Sequence, residues 1–150
     1  SIEHIHLKVS ALKDFCCTNI FDTYTVAKHI LQFNIDDELN LGCKHIVNQI
    51  ALVTIKGKQR NFYSFATKYC SHHKPDIYPI YDSYVVKMLM YFKRTDKFCR
   101  FKKEDLKQYQ IFIDVIIRFR EFYGLERFSL REIDIYLWLA GKEYFPIKYK

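Results

Sequence analysis

Cys70, His72 and His73 stand close together near the middle of the chain, and their types suggest chemistry before any other feature does. A thiol beside a histidine is the pairing that activates a cysteine nucleophile. The competing interpretation, which we favour, is a buried cysteine that acts as a small apolar side chain. The same three residues are spaced too tightly for structural zinc, which usually takes two separated ligand pairs. We therefore expect no metal at this cluster.

Motifs of several familiar enzyme classes are absent from the sequence. It contains no Gly-x-x-x-x-Gly-Lys phosphate loop, no Gly-x-Ser-x-Gly elbow and no His-Glu-x-x-His. Its five cysteines do not form the four-cysteine pattern of an iron–sulfur cluster. The sequence therefore disfavours the classical NTPase, hydrolase and zincin chemistries, and we expect no cofactor.

Asp82 closes a loop that holds Pro75 and Pro79. An aspartate in this position predicts a helix N-cap, because its side-chain oxygen can accept a backbone N–H of the first turn. Aromatic side chains are frequent around this loop: Tyr63, Tyr69, Tyr78, Tyr81 and Tyr84. Aromatic faces beside cations can stack on an extruded base, and they are equally ordinary in a helical core.

The chain is basic, with 24 Lys and Arg against 17 Asp and Glu and a formal net charge of +7. This charge favours a polyanionic partner. The cations cluster in two runs, one before Asp82 and one after it: Lys56, Lys58, Arg60, Lys68 and Lys74, then Lys93, Arg94, Lys97, Arg100, Lys102 and Lys103. The second run is equally well explained as a solvated loop between helices.

Apolar residues recur at helical spacing along almost the whole chain, which predicts an all-α fold of about seven helices in one domain over residues 1–150. The third helix is predicted over Asp36 to Val53 and the fourth over Gln59 to Cys70. Between them, Lys56-Gly57-Lys58 predicts a tight turn. Four Gly and three Pro are too few for a turn-rich all-β fold.

Caps and breakers predict where the remaining helices begin and end. The second helix is expected to begin at Asp22 or Thr23, and the fifth to run from Asp82 to about Lys93. The longest helix is predicted over Lys102 to Tyr123, ended by Gly124. The last is predicted from the Ser129-x-x-Glu132 capping box to Ala140, with Gly141 as its stop.

The composition also bears on the cellular compartment. No stretch approaches the roughly 18 consecutive apolar residues that span a bilayer, and the charged first residues predict no signal peptide. An odd number of cysteines, five, favours free thiols in a reducing compartment. We therefore expect a cytoplasmic protein with no membrane partner, while its oligomeric state stays open.

Two segments carry a resemblance to a known family. Pro79-Ile80-Tyr81-Asp82 follows a helix and an extended loop, and the segment from Ser129 to Lys142 reads SLREIDIYLWLAGK. Both resemble the helix-hairpin-helix DNA glycosylase superfamily, in particular the small bacterial proteins grouped with 8-oxoguanine DNA glycosylases. That superfamily has a hairpin with a Gly-rich turn, a helix, and a loop ending in Pro-Val-Asp whose aspartate caps the next helix. The resemblance covers roughly residues 50–145.

The resemblance implies that Asp82 is catalytic, stabilising positive charge on the sugar and orienting or deprotonating the nucleophile. That nucleophile is water, or Lys68 with Lys58 in reserve, acting through a Schiff base. The family places its lysine where this chain has residues 61–63, none of which is Lys, and its turn has two glycines where this chain has Gly57 alone. A plain cap at Asp82 and a solvated Lys68 are the alternative interpretations.

The resemblance also implies a nucleic-acid surface, since a target base must leave the duplex before it can be excised. The implied DNA-binding residues are Lys56, Gly57, Lys58, Arg60, His72, His73 and Lys74. The implied base pocket is formed by Tyr81, Tyr84 and Tyr69. The preferred hypothesis is a DNA glycosylase-like protein that binds duplex DNA and excises a damaged, oxidised purine. The alternatives are a noncatalytic DNA-binding or defence-associated helical module and a helical protein–protein adaptor.

Overall fold

The computed structural model describes residues 1–15 and 20–147, with the side chains of residues 14 and 15 excepted. Within these residues the chain forms eight α-helices and one two-stranded sheet, which confirms the mostly helical fold. The first five helices and the strands are α1 (Ile2–Phe15), α2 (Thr23–Gln32), α3 (Asp36–Leu41), α4 (His45–Ala51), β1 (Leu52–Ile55), β2 (Lys58–Asn61) and α5 (Tyr63–His73). They are followed, in chain order, by α6 (Ser83–Asp96), a 3₁₀ helix (Lys103–Lys107), α7 (Tyr109–Phe122) and α8 (Leu130–Tyr144).

The chain divides into two compact units, Ser1–Tyr78 and Pro79–Lys150. The first contains α1 to α5 and the sheet, and the second contains the 3₁₀ helix and α6 to α8. One domain over residues 1–150 stays a prediction. None of the described helices is both long enough and apolar enough to cross a lipid bilayer.

Each unit has its own apolar side chains sealed from solvent. In the first unit they include Val26, Ile30, Ile46, Ile50 and Phe65. In the second unit they include Leu89, Phe112, Ile116, Phe119 and Leu137. Burying a side chain of this size stabilises a fold by about 1.5–3 kcal/mol, so the helices are held mainly by these faces.

The helix predicted over Asp36 to Val53 is interrupted twice. Gly42, at φ 78°, ends α3 in the left-handed conformation that glycine adopts without steric cost. After this break, α4 begins at His45 and runs only to Ala51, after which the chain becomes extended. Asp22 begins α2 as predicted, accepting the Thr25 amide at 3.0 Å.

The turn predicted at Lys56-Gly57-Lys58 is present, but it joins antiparallel strands instead of helices. β1 pairs with β2 in a register that sets Val53 opposite Arg60 and Ile55 opposite Lys58. Lys56 and Gly57 both have positive φ, 48° and 75°, as a two-residue type I′ hairpin turn requires. The expected helix over Gln59 to Cys70 is therefore wrong at its start, and α5 begins at Tyr63.

The second unit follows its local signals more closely. Asp82 caps α6 as predicted, although that helix continues to Asp96. The long helix expected over Lys102 to Tyr123 is divided at Gln108, whose backbone is extended, into the 3₁₀ helix and α7. Gly124, at φ 65°, follows α7 as predicted.

Gly141 does not stop the last helix. α8 begins with the predicted capping box between Ser129 and Glu132 and continues through Gly141 to Tyr144. A Cβ atom at Gly141 would lie 2.7 Å from the carbonyl oxygen of Tyr84, far inside van der Waals contact. Glycine at this position therefore allows α8 to approach the first turn of α6.

Candidate functional site

Asp82 lies at the N-terminus of α6 with a partly exposed side chain. Its Oδ1 atom accepts the backbone N–H of Tyr84 at 2.8 Å, and its own carbonyl accepts the amide of Val86 at 3.0 Å. Within the described part of the chain we find no hydrogen bond to Oδ2. Asp82 therefore serves as a helix cap while one of its carboxylate oxygens is not engaged in that cap.

The three residues before Asp82 are held in place by side chains of the second unit. The Tyr109 hydroxyl donates to the Pro79 carbonyl at 2.7 Å, and the Ile80 amide donates to Oδ2 of Asp134 at 2.7 Å. The ring of Tyr81 packs edge-on against Phe112, with centroids 5.5 Å apart. These contacts fix the backbone that leads into the cap.

Asp134 is a residue of this site that was not predicted from the sequence. Its side chain is buried, with the residue 1% exposed, and one carboxylate oxygen pairs with the guanidinium of Arg131. The pKa of Asp134 is raised to about 6, chiefly by burial and to a smaller extent by the nearby Asp82, while the Ile80 amide and Arg131 oppose the rise. The sequence does contain a signal, because helical spacing from Leu130 places this acidic residue on the apolar face of α8.

The three tyrosines expected to form a base pocket lie in different surroundings. Tyr84 is half-buried on α6, and the amine of Lys87 lies 5.4 Å from its ring centroid. Tyr81 is buried, and the amine of Lys107 lies 5.0 Å from its ring centroid. Burial raises the pKa of Tyr81, with Asp82 as a smaller cause.

Tyr69 lies in the other unit and belongs to its core. It is 3% exposed, and its ring centroid lies 6.2 Å from that of Phe65 and 5.0 Å from that of His73. Burial raises the pKa of the Tyr69 hydroxyl to about 12. Of the three tyrosines, Tyr84 is the most accessible to a ligand, and the base-pocket role of the set stays a prediction.

The basic residues expected to bind DNA are exposed on the hairpin of the first unit. Lys56 and Gly57 form its tip, and Lys58 and Arg60 project from β2, where all four residues are exposed. Alternation along a strand places Lys58 and Arg60 on the same face. The structure thus presents three cations on a two-stranded ribbon, an element that fits the major groove of duplex DNA.

A second group of the residues expected to bind DNA lies at the end of α5. His72 is exposed, and His73 and Lys74 are half-buried. The amine of Lys8, on α1, lies 3.4 Å from Nε2 of His73. Burial lowers the pKa of His73, and the charge of Lys8 lowers it further. Lys8 joins this group through a contact across 65 residues of sequence, which no local pattern announces.

The lysines expected as nucleophiles belong to the first unit, whereas Asp82 belongs to the second. Lys68 is half-buried on α5, and Lys58 is exposed on β2. A Schiff-base lysine acting with Asp82 therefore stays a prediction.

Cys70 has the environment of a small apolar side chain. It is fully buried, and burial raises the pKa of its thiol to about 12, so the thiolate is scarce at neutral pH. Among the described cysteines, Cys43, Cys70 and Cys99 are free thiols; Cys16 and Cys17 lie outside the described residues. In residues 1–15 and 20–147 no three His, Cys, Asp or Glu side chains are grouped as a metal site requires.

Comparison with known proteins places the first unit in a family. The model of the family HI_0787_N, described as an N-terminal domain, matches residues 1–77, and the first unit ends one residue later, at Tyr78. An uncharacterized protein of Haemophilus influenzae is 53% identical over 130 residues, which are 86% of this chain and 62% of that relative. The chain thus spans less than two thirds of the relative's length. No solved structure matches it. Because the family model covers more than half of its residues, the chain belongs to the HI_0787_N family.

Proposed function

We propose that this protein binds duplex DNA and excises a damaged, oxidised purine by cleaving its glycosidic bond. The observation that carries the proposal is the placement of Asp82. A partly exposed carboxylate is anchored through one oxygen to the start of α6, at the end of a segment that resembles the catalytic loop of DNA glycosylases.

In this reaction the bond between the base and C1′ of the sugar breaks, and the base leaves with the bonding electron pair. Positive charge then develops on the sugar, and the Asp82 carboxylate stabilises it. The same carboxylate orients the attacking water and accepts its proton as the new C–O bond forms. The target base must first be extruded from the duplex, and the half-buried ring of Tyr84, two residues after Asp82, is the most accessible of the three tyrosines to stack on it.

The proposed contact with DNA is electrostatic and independent of sequence. The hairpin cations Lys56, Lys58 and Arg60 bind phosphate, together with His72, His73 and Lys74 at the end of α5. Such contacts weaken as salt rises, because binding releases condensed counterions. We also place the protein in the cytoplasm, where the free thiols of Cys43, Cys70 and Cys99 stay reduced.

The test is incubation with duplexes that each contain one oxidised purine, followed by cleavage of abasic sites with alkali. We expect strand cleavage with the wild-type protein and with Asp114→Asn, which alters an exposed carboxylate on α7. We expect strand cleavage at a rate about 10²–10⁴-fold lower with Asp82→Asn, because asparagine caps a helix about as well as aspartate but carries no charge. Equal product from Asp82→Asn and the wild type across the lesions contradicts the proposal.

Borohydride trapping separates the two chemical routes. A lysine nucleophile forms a Schiff base that borohydride reduces to a stable protein–DNA adduct. If the lysine route operates, the adduct is lost in Lys68→Gln or in Lys58→Gln. An active enzyme that yields no adduct uses water.

The exposed basic hairpin supports a second candidate, a noncatalytic DNA-binding or defence-associated module. The three cations of the hairpin all belong to the first unit. This candidate function depends on them and assigns no role to Asp82. This candidate predicts salt-dependent duplex binding that Asp82→Ala leaves unchanged and no cleavage of any lesion. Absence of duplex binding at low salt contradicts both candidates and favours a protein–protein adaptor.

A further inference from the structure

Asp134 connects α8 to the loop that carries Asp82. Its Oδ2 atom accepts the Ile80 amide at 2.7 Å, and Ile80 lies two residues before the cap. Its other oxygen pairs with Arg131, one turn earlier on the same helix. We infer that Asp134 is a positioning residue, which holds the Ile80 backbone and thereby sets the Asp82 carboxylate at the start of α6. The inference rests on the proposed function, because it assigns Asp134 a part in the same reaction.

The cost of burying Asp134 argues against a role in simple packing. A carboxylate removed from water is unfavourable unless hydrogen bonds and an opposite charge replace its hydration. Both replacements are present, one from the Ile80 amide and one from Arg131. The Ile80 amide belongs to the loop before α6, outside any helix or strand, so the carboxylate supplies the acceptor that regular structure does not.

The two carboxylates occupy contrasting environments. Asp82 is partly exposed, whereas Asp134 is buried. The positive charge of Arg131, on α8, stabilises the Asp134 carboxylate, and the negative charge of Asp82, at the start of α6, destabilises it. Burial, the largest cause, raises the pKa of Asp134 to about 6. Below that pH the carboxylate takes up a proton, and its bond to the Ile80 amide weakens because a neutral acceptor is weaker than a charged one. The position of Asp82 is therefore sensitive to mild acid.

The first arm of the test measures the hydrogen bond without any reaction. In the wild type, NMR should detect a scalar coupling between the Ile80 amide nitrogen and the Asp134 carboxyl carbon. In Asp134→Ala we expect the Ile80 amide to exchange with solvent at least tenfold faster, whereas Glu143→Ala, an exposed acid on the same helix, leaves it unchanged. Asp134→Asn keeps an acceptor and should recover part of the protection. Absence of the coupling, or unchanged exchange in a folded Asp134→Ala, overturns the inference.

The second arm measures single-turnover excision of an oxidised purine from duplex DNA. Asp134→Ala should lower the rate constant at least tenfold with the duplex Kd within twofold of the wild type, because Asp134 holds Asp82 and not DNA. The wild-type rate should fall below a pH of about 6, and Asp134→Asn should lack this acid limb, which a loss of folded protein does not explain. Equal rates and pH profiles in Asp134→Asn and the wild type overturn the inference.

The two arms fail separately. If the wild type excises no base, the proposed function is contradicted, and the Ile80 exchange measurements still decide whether Asp134 holds the loop. If the wild type is active and the exchange rate of the Ile80 amide is the same in Asp134→Ala as in the wild type, the proposed function stands and the positioning role is overturned.

Discussion

The buried carboxylate of Asp134 makes the stability of the second unit depend on pH in an unusual direction. Its pKa is raised from 3.8 to about 6 in the folded protein, chiefly by burial. Between these values the folded state binds the proton more tightly than the unfolded state. The free energy of unfolding contributed by this group therefore falls as pH rises through that window. Most aspartates in proteins show the opposite dependence, since ion pairs usually lower their pKa.

The size of the effect follows from the same two values. Each pKa unit corresponds to about 1.4 kcal/mol, so the rise from 3.8 to about 6 costs the ionised, folded state about 3 kcal/mol. This cost is absent below a pH of about 4 and complete above about 7. Asp134→Asn cannot ionise, so it does not bear this cost at any pH. The wild type should therefore lose about 3 kcal/mol of stability relative to Asp134→Asn as the pH is raised across this interval.

Urea unfolding at several pH values measures this difference, with the fluorescence of Trp138 as the probe. Trp138 is the single tryptophan of the chain and lies on α8, one turn after the altered residue. Asp114→Asn, exposed on α7, serves as the control and should track the wild type at every pH. A difference between the wild type and Asp134→Asn that stays constant between pH 4 and 7 would show that burial does not raise the pKa of Asp134. If the wild type instead gains free energy of unfolding relative to Asp134→Asn as pH rises, the pKa of Asp134 is lowered in the folded protein and not raised.

Three further predictions concern other parts of the molecule. Gly141→Ala should destabilise the second unit by about 1–3 kcal/mol in urea unfolding, because the added methyl group overlaps the backbone of Tyr84. Lys58→Ala should weaken duplex binding equally for all DNA sequences and lower the slope of log affinity against log salt by about 1. Cys70 should resist iodoacetamide at pH 7.5 in the folded protein, since burial raises the pKa of its thiol to about 12.

Each of these predictions has a matched control. Gly124→Ala meets no neighbouring atom but keeps a positive φ, so its expected cost of about 1–2 kcal/mol comes from backbone strain alone; a Gly141→Ala variant as stable as the wild type would show that the added methyl group does not overlap Tyr84. Arg118→Ala, exposed on α7, should leave duplex binding unchanged, and an equal loss in both variants contradicts a role for the hairpin. Cys99, which is half-buried, should be alkylated before Cys70, and the reverse order contradicts the burial argument.

Local signals predicted the parts of the fold that depend on neighbouring residues. Asp22, Asp82 and Ser129 were expected as caps, and each accepts a backbone amide of the helix it begins. A cap needs only a short polar side chain and the amides two or three residues later, so sequence proximity contains all the information. The same holds for Gly124, whose positive φ ends α7.

The two strands of the hairpin were not predicted, because the residues of β1 fit both a helical and a strand pattern. Val53 continues the helical spacing of Ile46 and Ile50, while the run from Leu52 to Ile55 also has the β-branched character of a strand. Lys56-Gly57 is a weaker turn signal than the Asn-Gly pair that marks a type I′ hairpin. Pairing with Lys58–Asn61 decides between the two, and that pairing is not a property of either segment by itself.

The site residues that were missed depend on contacts distant in sequence. Asp134 bonds to Ile80 across 54 residues, and Lys8 reaches His73 across 65 residues. Asp134 could have been suspected from its place on the apolar face of α8, but its partner could not have been named. The candidate catalytic residue, Asp82, was identified because its cap is local and its segment resembles a known motif.

The proposal of base excision depends most directly on the charge of one carboxylate. The decisive measurement is the single-turnover rate of excision from a duplex containing one oxidised purine, compared between the wild type and Asp82→Asn. Removing a general acid–base group lowers a rate by about 10²–10⁴-fold, and we expect a loss in this range with α6 and duplex affinity retained. Equal rates in the two proteins, or no excision by either, would contradict it.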